Sequence, residues 1–160
     1  MLKIVKYPDS FLRRTSKKVT VFDIELKKLS EEMSEIMYQD DGIGLAAPQI
    51  GSQQRLIVVG NTQEKNYHVY VNPEISFFSK NKELNEEGCL SLPKIFGLVR
   101  RSKKIHIKYQ DLDGTIHKDK LSGLVSIVFQ HELDHLNGIL FIDRAEEITK
   151  GQNVLDNLKK

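Results

Sequence analysis

The chain has 160 residues, enough for one ordinary domain with a single core. Hydrophobic residues make up 39% and charged residues 29%, which excludes a disordered or fibrous chain. With 24 basic against 22 acidic side chains, the net charge of +2 gives no electrostatic case for specific nucleic-acid binding. No apolar run approaches the roughly 20 residues of a membrane span. The start, MLKIVKYPDS, lacks the apolar stretch and small-residue cleavage site of a secretory signal. A cytoplasmic location without a membrane partner is expected. The single cysteine, Cys89, excludes an internal disulfide.

Near the N-terminus, Asp9 is placed to cap a short helical turn through Phe11, Leu12 and Arg13. A longer helix is predicted from about Asp23 to Tyr38, where Ile24, Leu26, Leu29, Met33, Ile36 and Met37 recur three or four apart. DDGIGLAAPQIG follows as a turn-rich connection, in which Gly42 and Gly44 allow unusual backbone angles. RLIVVG and NYHVYVNPEI read as strands, with Pro73 ending the second ladder. KKIHIKYQDLDGTIHKDKL reads as a hairpin turning at Asp113-Gly114.

From about Ser122 to Leu136 the pattern predicts an apolar, buried helix containing Leu124, Val125, Ile127, Val128 and Phe129. Asn137-Gly138 would stop it, both residues tolerating left-handed angles. A last helix is expected near Gly151 to Lys160. No linker or repeat divides residues 1–160, so one domain is expected. Its class is α+β: antiparallel strands around a central helix, with an N-terminal and a C-terminal helix.

The central helix carries FQHELDHLNG, and within it His131-Glu132-x-x-His135. Residues four apart lie one turn above each other, so both imidazoles can reach one metal. Glu132, about 100° around from His131, can lean over a water at the same metal, where a general base belongs. Two histidines leave a catalytic metal one protein ligand short. Glu146 and Glu147 lie downstream, where zinc proteases often find theirs, but RAEEITKGQ is highly polar. His68, His106 and His117 are further candidates, the last two in the hairpin. Cys89, within EEGCLSLP, could complete a Cys-His₂ set or be a small buried hydrophobe. Residue chemistry leaves the choice open.

Three separated segments, GIGLAAPQ (42–49), EGCLS (87–91) and HELDH (131–135), resemble in order and spacing the signatures of the peptide deformylases. KYPDSFLRR and the DLDG turn are also similar to the family pattern, so the resemblance covers most of the chain. It implies an enzyme that removes the formyl group from the N-terminal formyl-methionine of newly made polypeptides, releasing formate. Cys89, His131 and His135 would be the metal ligands and Glu132 the base acting on the metal's water. The Gln49 side chain and the Leu90 backbone N–H would donate to the developing oxyanion. The family's ion is typically Fe²⁺, with Zn²⁺, Ni²⁺ or Co²⁺ as substitutes.

The resemblance also implies that Gly42, Ile43 and Gly44 pair with the substrate backbone as an added strand. Leu124, Ile127 and Val128 would line the methionine pocket, and Arg101, in Val99-Arg100-Arg101, would pair with Glu87 beside the site. Lys94 and Phe96 depart from the family pattern and bear on outer substrate contacts. The partners implied are formyl-methionyl nascent chains and, transiently, the ribosome, although the lysine-ended tail reads better as a solvated helix end. The competing reading is an endopeptidase of the His-Glu-x-x-His type, which would take its third ligand downstream.

Overall fold

In the computed structural model, which describes residues 2–61 and 66–159, an uninterrupted apolar run organises the larger layer. Strand β2 (Leu56–Asn61) alternates its side chains between two cores. Leu56 and Val58 pack with Met33, Met37 and Leu45, while Ile57 and Val59 pack with Phe129, Tyr70 and Ile107. A strand buried on both faces needs apolar residues at every position rather than at alternate ones. Helix α1 (Ile24–Gln39) covers the first face, and α2 (Gly123–Leu136) covers the second. Phe129 of α2 is fully buried; burying a side chain of this kind contributes about 2–3 kcal/mol.

The sheet between these helices is antiparallel, in the order β1-β2-β3-β6-β7, with β1 (Gly44–Ala46) at one edge. Its other strands are β3 (Asn66–Phe78), β6 (Lys104–Gln110) and β7 (Ile116–Ser122). A second sheet has the order β4-β5-β8, formed by β4 (Lys82–Cys89), β5 (Leu92–Ser102) and β8 (Glu147–Lys150). Leu92, Ile95 and Val99 of β5 pack with Leu12, Leu140, Phe141 and Leu155. The last three come from the segment with helices α3 (Phe141–Arg144) and α4 (Gln152–Leu158). The mixed helix and antiparallel-sheet class matches the expectation.

Local chemistry accounts for the helix starts. Asp9 accepts from the Phe11 amide at 2.9 Å at the head of the Ser10–Arg13 turn. Asp23 accepts from Leu26 N at 3.1 Å at the start of α1. In the β6–β7 hairpin, Asp111 accepts from the Asp113 and Thr115 amides, and Gly114 takes φ 85°.

Several expectations need correction. Pro73 does not end its ladder: β3 continues to Phe78, and the proline falls in a register shift between Val71 and Glu74. A bulge removes the need for the N–H that proline lacks. Gly42 and Gly44 do not take left-handed angles, and the segment after α1 is partly strand β1. After α2, only Gly138 is left-handed, at φ 73°; Asn137 has φ −105°. Leu124 and Val125 are 61% and 41% exposed, so the first turn of α2 is not buried. Strands β4, β5 and β8 were not anticipated. Lys160, at the end of the expected last helix, lies outside the described residues.

Candidate active site

Helix α2, the end of β4 and the edge strand β1 meet around a cavity of about 800 Å³. The helix presents His131 and His135 one turn apart, with ring centroids 5.2 Å apart. Cys89 ends β4, and its Sγ lies 3.3 Å from His135 Nε2. One ligand atom from each of Cys89, His131 and His135 can be chosen so that all three lie within 4.8 Å of one another. Two ligands of a single tetrahedral ion lie about 3.5 Å apart, given sulfur and nitrogen bond lengths of about 2.0–2.3 Å. The trio therefore fits one divalent ion, with a soft thiolate and two imidazoles as donors.

The alternative ligands lie elsewhere. His68 contacts the Tyr109 hydroxyl at 3.0 Å, and His117 pairs with Asp111 at 2.7 Å. Glu146 pairs with Arg100 at 2.8 Å, and Glu147 is exposed on β8. His106 packs against Phe77.

Glu132 lies 3% exposed, with Oε1 3.6 Å from His131 Nε2 and Oε2 without a hydrogen-bond partner among the described residues. Burial disfavours its anion and raises its pKa to about 7, despite the opposing pull of His131. A buried carboxyl that titrates near neutrality, on a residue that lines the cavity, is suited to taking and returning a proton. His135 is pushed well below the ordinary range by burial and by the charges of His131 and Arg101. Burial also opposes protonation of His131, yet its contacts with Cys89 and Glu87 outweigh this and raise it.

Glu87 fixes the orientation of His131. Its Oε1 lies 2.8 Å from His131 Nδ1, and both its oxygens accept from Arg101, at 2.9 and 3.0 Å. Burial alone would raise the Glu87 pKa, but these hydrogen bonds draw it down to about 2. The carboxylate is thus ionised and must accept, so His131 Nδ1 carries the proton and Nε2 is left as the ligand atom. Glu87 borders the cavity, but both of its oxygens are engaged in this way. Arg101, 4% exposed, lies behind it and reaches on to Asp134 at 2.7 Å.

Gln49 is held from two sides. Its Oε1 accepts from Ala46 N at 3.0 Å, and its Nε2 donates to Ser91 Oγ at 3.1 Å and approaches Cys89 Sγ at 3.5 Å. Leu90 sits in the short link between β4 and β5, on the cavity wall. Gly42, Ile43 and Gly44 line the same cavity with Leu124, Ile127 and Val128. At Gly44 a Cβ would stand 2.7 Å from Val128 Cγ1 and 2.9 Å from Glu132 Cγ. Close approach to α2, not backbone angle, requires glycine there. Phe96 lies against Gly88, and Lys94 takes φ 68° on the same wall.

Two residues of this network escaped the sequence reading. Ser91 positions Gln49, and Asp134 receives both Arg101 and Arg144. Asp134 stands three residues after His131 on the same helix, a spacing that places both on one side. That spacing was the only available signal for it.

Comparison with known proteins agrees with the resemblance. The family model described as polypeptide deformylase matches residues 1–151. A peptide deformylase of Desulfotalea psychrophila is 44% identical over 154 residues, covering 94% of this chain and 90% of that protein. A chloroplastic peptide deformylase 1B of Solanum lycopersicum is 45% identical over 162 residues, covering 99% of this chain. The chain spans only 56% of that longer protein. Among solved structures, a Plasmodium falciparum peptide deformylase superposes with a TM-score of 0.90 at 44% identity, covering 98% of this chain and 93% of that one. With its three signatures brought together in one cavity, the chain belongs to the polypeptide deformylase family of enzymes.

Proposed function

We propose that this chain, acting as a single catalytic unit, removes the formyl group from formyl-methionyl nascent polypeptides in the cytoplasm, as they emerge from the ribosome. The observation that carries this reading is the convergence of Cys89, His131 and His135 with Glu132 in one cavity. Cys89, His131 and His135 hold one divalent ion, Fe²⁺ in the cell, with Zn²⁺, Ni²⁺ or Co²⁺ able to replace it. When bound, the ion supplies Lewis-acid activation of water and of the formyl oxygen.

The protein's own groups do the rest. Gly44, at the start of edge strand β1, and Gly42 and Ile43 just before it pair with the peptide backbone, and Leu124, Ile127 and Val128 receive the methionine side chain. Glu132 takes the proton of the attacking water and returns it to the leaving nitrogen; its pKa near 7 suits both directions. Gln49, held through Oε1, turns its Nε2 from Cys89 toward the developing oxyanion, and the Leu90 amide is the second donor. Each such donor is worth about 10²–10³ in rate. Arg101 acts through Glu87 to keep His131 in its ligating orientation.

The test is formate release from formyl-Met-Ala-Ser by anaerobically prepared protein, together with metal analysis of the same sample. Release of formate without internal cleavage, at one ion per chain, is expected. Internal peptide cleavage would support the endopeptidase reading, and an intact substrate with metal bound would reject both.

A further inference from the structure

Behind the catalytic cavity, on the far side of Arg101, lies a second cavity of about 260 Å³. Four cationic side chains border it, Lys82, Arg100, Arg101 and Arg144, against one carboxylate, Asp134. Two further carboxylates reach these cations from outside: Glu87 pairs with Arg101 and Glu146 with Arg100. Four cations against three carboxylates leave one positive charge in excess.

The excess resides in identifiable donors. Asp134 accepts from Arg101 Nη1, Arg144 Nε and Arg144 Nη2. Glu146 accepts from Arg100 Nε and Nη2. This leaves Nη1 of Arg100, Nη1 of Arg144 and the Lys82 ammonium without a hydrogen-bond partner among the described residues. The rest of the lining combines an apolar patch, Ile75, Phe78, Leu133 and Ile139, with the polar Ser102, Gln130 and Asn137. Phe78 is 54% exposed although it is a large aromatic residue beside this opening.

We propose that this second cavity is a binding site for a small carboxylate bearing an apolar or aromatic group. Guanidinium and ammonium donors on one side suit a carboxylate, which accepts charge-assisted hydrogen bonds. The apolar patch suits the body of such a molecule, a contact from which a bare inorganic anion would gain nothing. The volume is below the roughly 300–1,000 Å³ of drug-sized pockets, so the ligand is fragment-sized. The site is distinct from the catalytic cavity, since none of the free donors borders the latter. Arg101 connects it to the catalytic machinery, since its other edge holds Glu87.

Benzoate is the probe. Titrating it into full-length, zinc-loaded, ¹⁵N-labelled protein at low salt should shift the amides of Ser102, Gln130 and Asn137, which border the second cavity. Saturation is expected in the millimolar range, weakening at high salt as exposed charges are screened. Lys82→Glu, which reverses the uncommitted charge, should weaken binding at least tenfold and leave formate release unchanged. Arg144→Gln should weaken it as well, and inorganic sulfate should produce smaller shifts at the same sites. Shifts confined to Gly44, Leu90 and the catalytic cavity would overturn the proposal, as would binding indifferent to Lys82→Glu. The readout is binding, so its failure would leave the deformylase reading standing.

Discussion

Glu87 lies 2.8 Å from Nδ1 of His131 and is itself held by two hydrogen bonds from Arg101. Side chains from the paired strands β4 and β5 thereby fix one imidazole on α2, an element remote from both in sequence. The arrangement is costly to disturb, because removing one partner from a buried ion pair leaves the other unpaired, typically at about 3–5 kcal/mol.

Glu87→Gln should therefore lower metal affinity by about 10–100-fold, as loss of such supporting hydrogen bonds does elsewhere. Competition against a chelator measures this, and unchanged affinity would remove Glu87 from its positioning role. The same carboxylate governs acid stability. Its folded pKa of about 2 lies below the ordinary 4.5, so its stabilising contribution is complete above pH 4.5 and is lost as the pH falls through 2. Glu87→Gln should lack this component of acid unfolding.

Glu132→Gln should keep the metal and lose about 10²–10⁴ of turnover. It should also change stability with pH in the opposite direction from Glu87. The folded Glu132 carboxyl, raised from 4.5 to about 7, holds a proton that the unfolded chain has already released. Stability is thus full below pH 4.5 and falls as the pH rises through 7, by on the order of 3 kcal/mol. In protein stripped of metal, Glu132→Gln should unfold at higher denaturant than the parent at pH 8 and show no such advantage at pH 4. Equal midpoints at both pH values would contradict the burial argument.

Cys89→Ala should abolish stoichiometric metal binding, while Glu146→Ala should leave it intact because Glu146 is spent on Arg100 at the surface. Metal analysis after dialysis distinguishes them; retention of one ion by Cys89→Ala would restore the search for a downstream ligand.

Gly44→Ala inserts a methyl group 2.7 Å from Val128 Cγ1 and 2.9 Å from Glu132 Cγ. Overpacking of this kind typically costs about 1–3 kcal/mol. Because the displaced neighbours are the helix face and the base, kcat should fall with stability. A thermal shift paired with steady-state kinetics tests this. Gly51→Ala, where no atom lies within 4 Å but φ is 83°, should cost stability alone.

Features under the control of short-range periodicity and local chemistry could be read along the chain. Two amphipathic or apolar helices, the strand around Ile57 and Val58, the Asp111–Gly114 hairpin and the i,i+4 pairing of His131 with His135 were all legible. The third ligand was not legible from residue chemistry, since Cys89 stands forty-odd positions away and only the family signature pointed to it. Tertiary structure alone decided that Glu87 is tied to Arg101 and His131, that Asp134 continues that chain, and that Pro73 lies within a bulge rather than at a strand end. The second sheet was missed for a related reason. KELNEEGC has no period-two apolar alternation, because its pairing serves a site and an edge rather than a two-sided core. Periodicity records which face of an element is buried; the pairing of charges and ligands from different elements depends on how those elements pack, which no local pattern encodes.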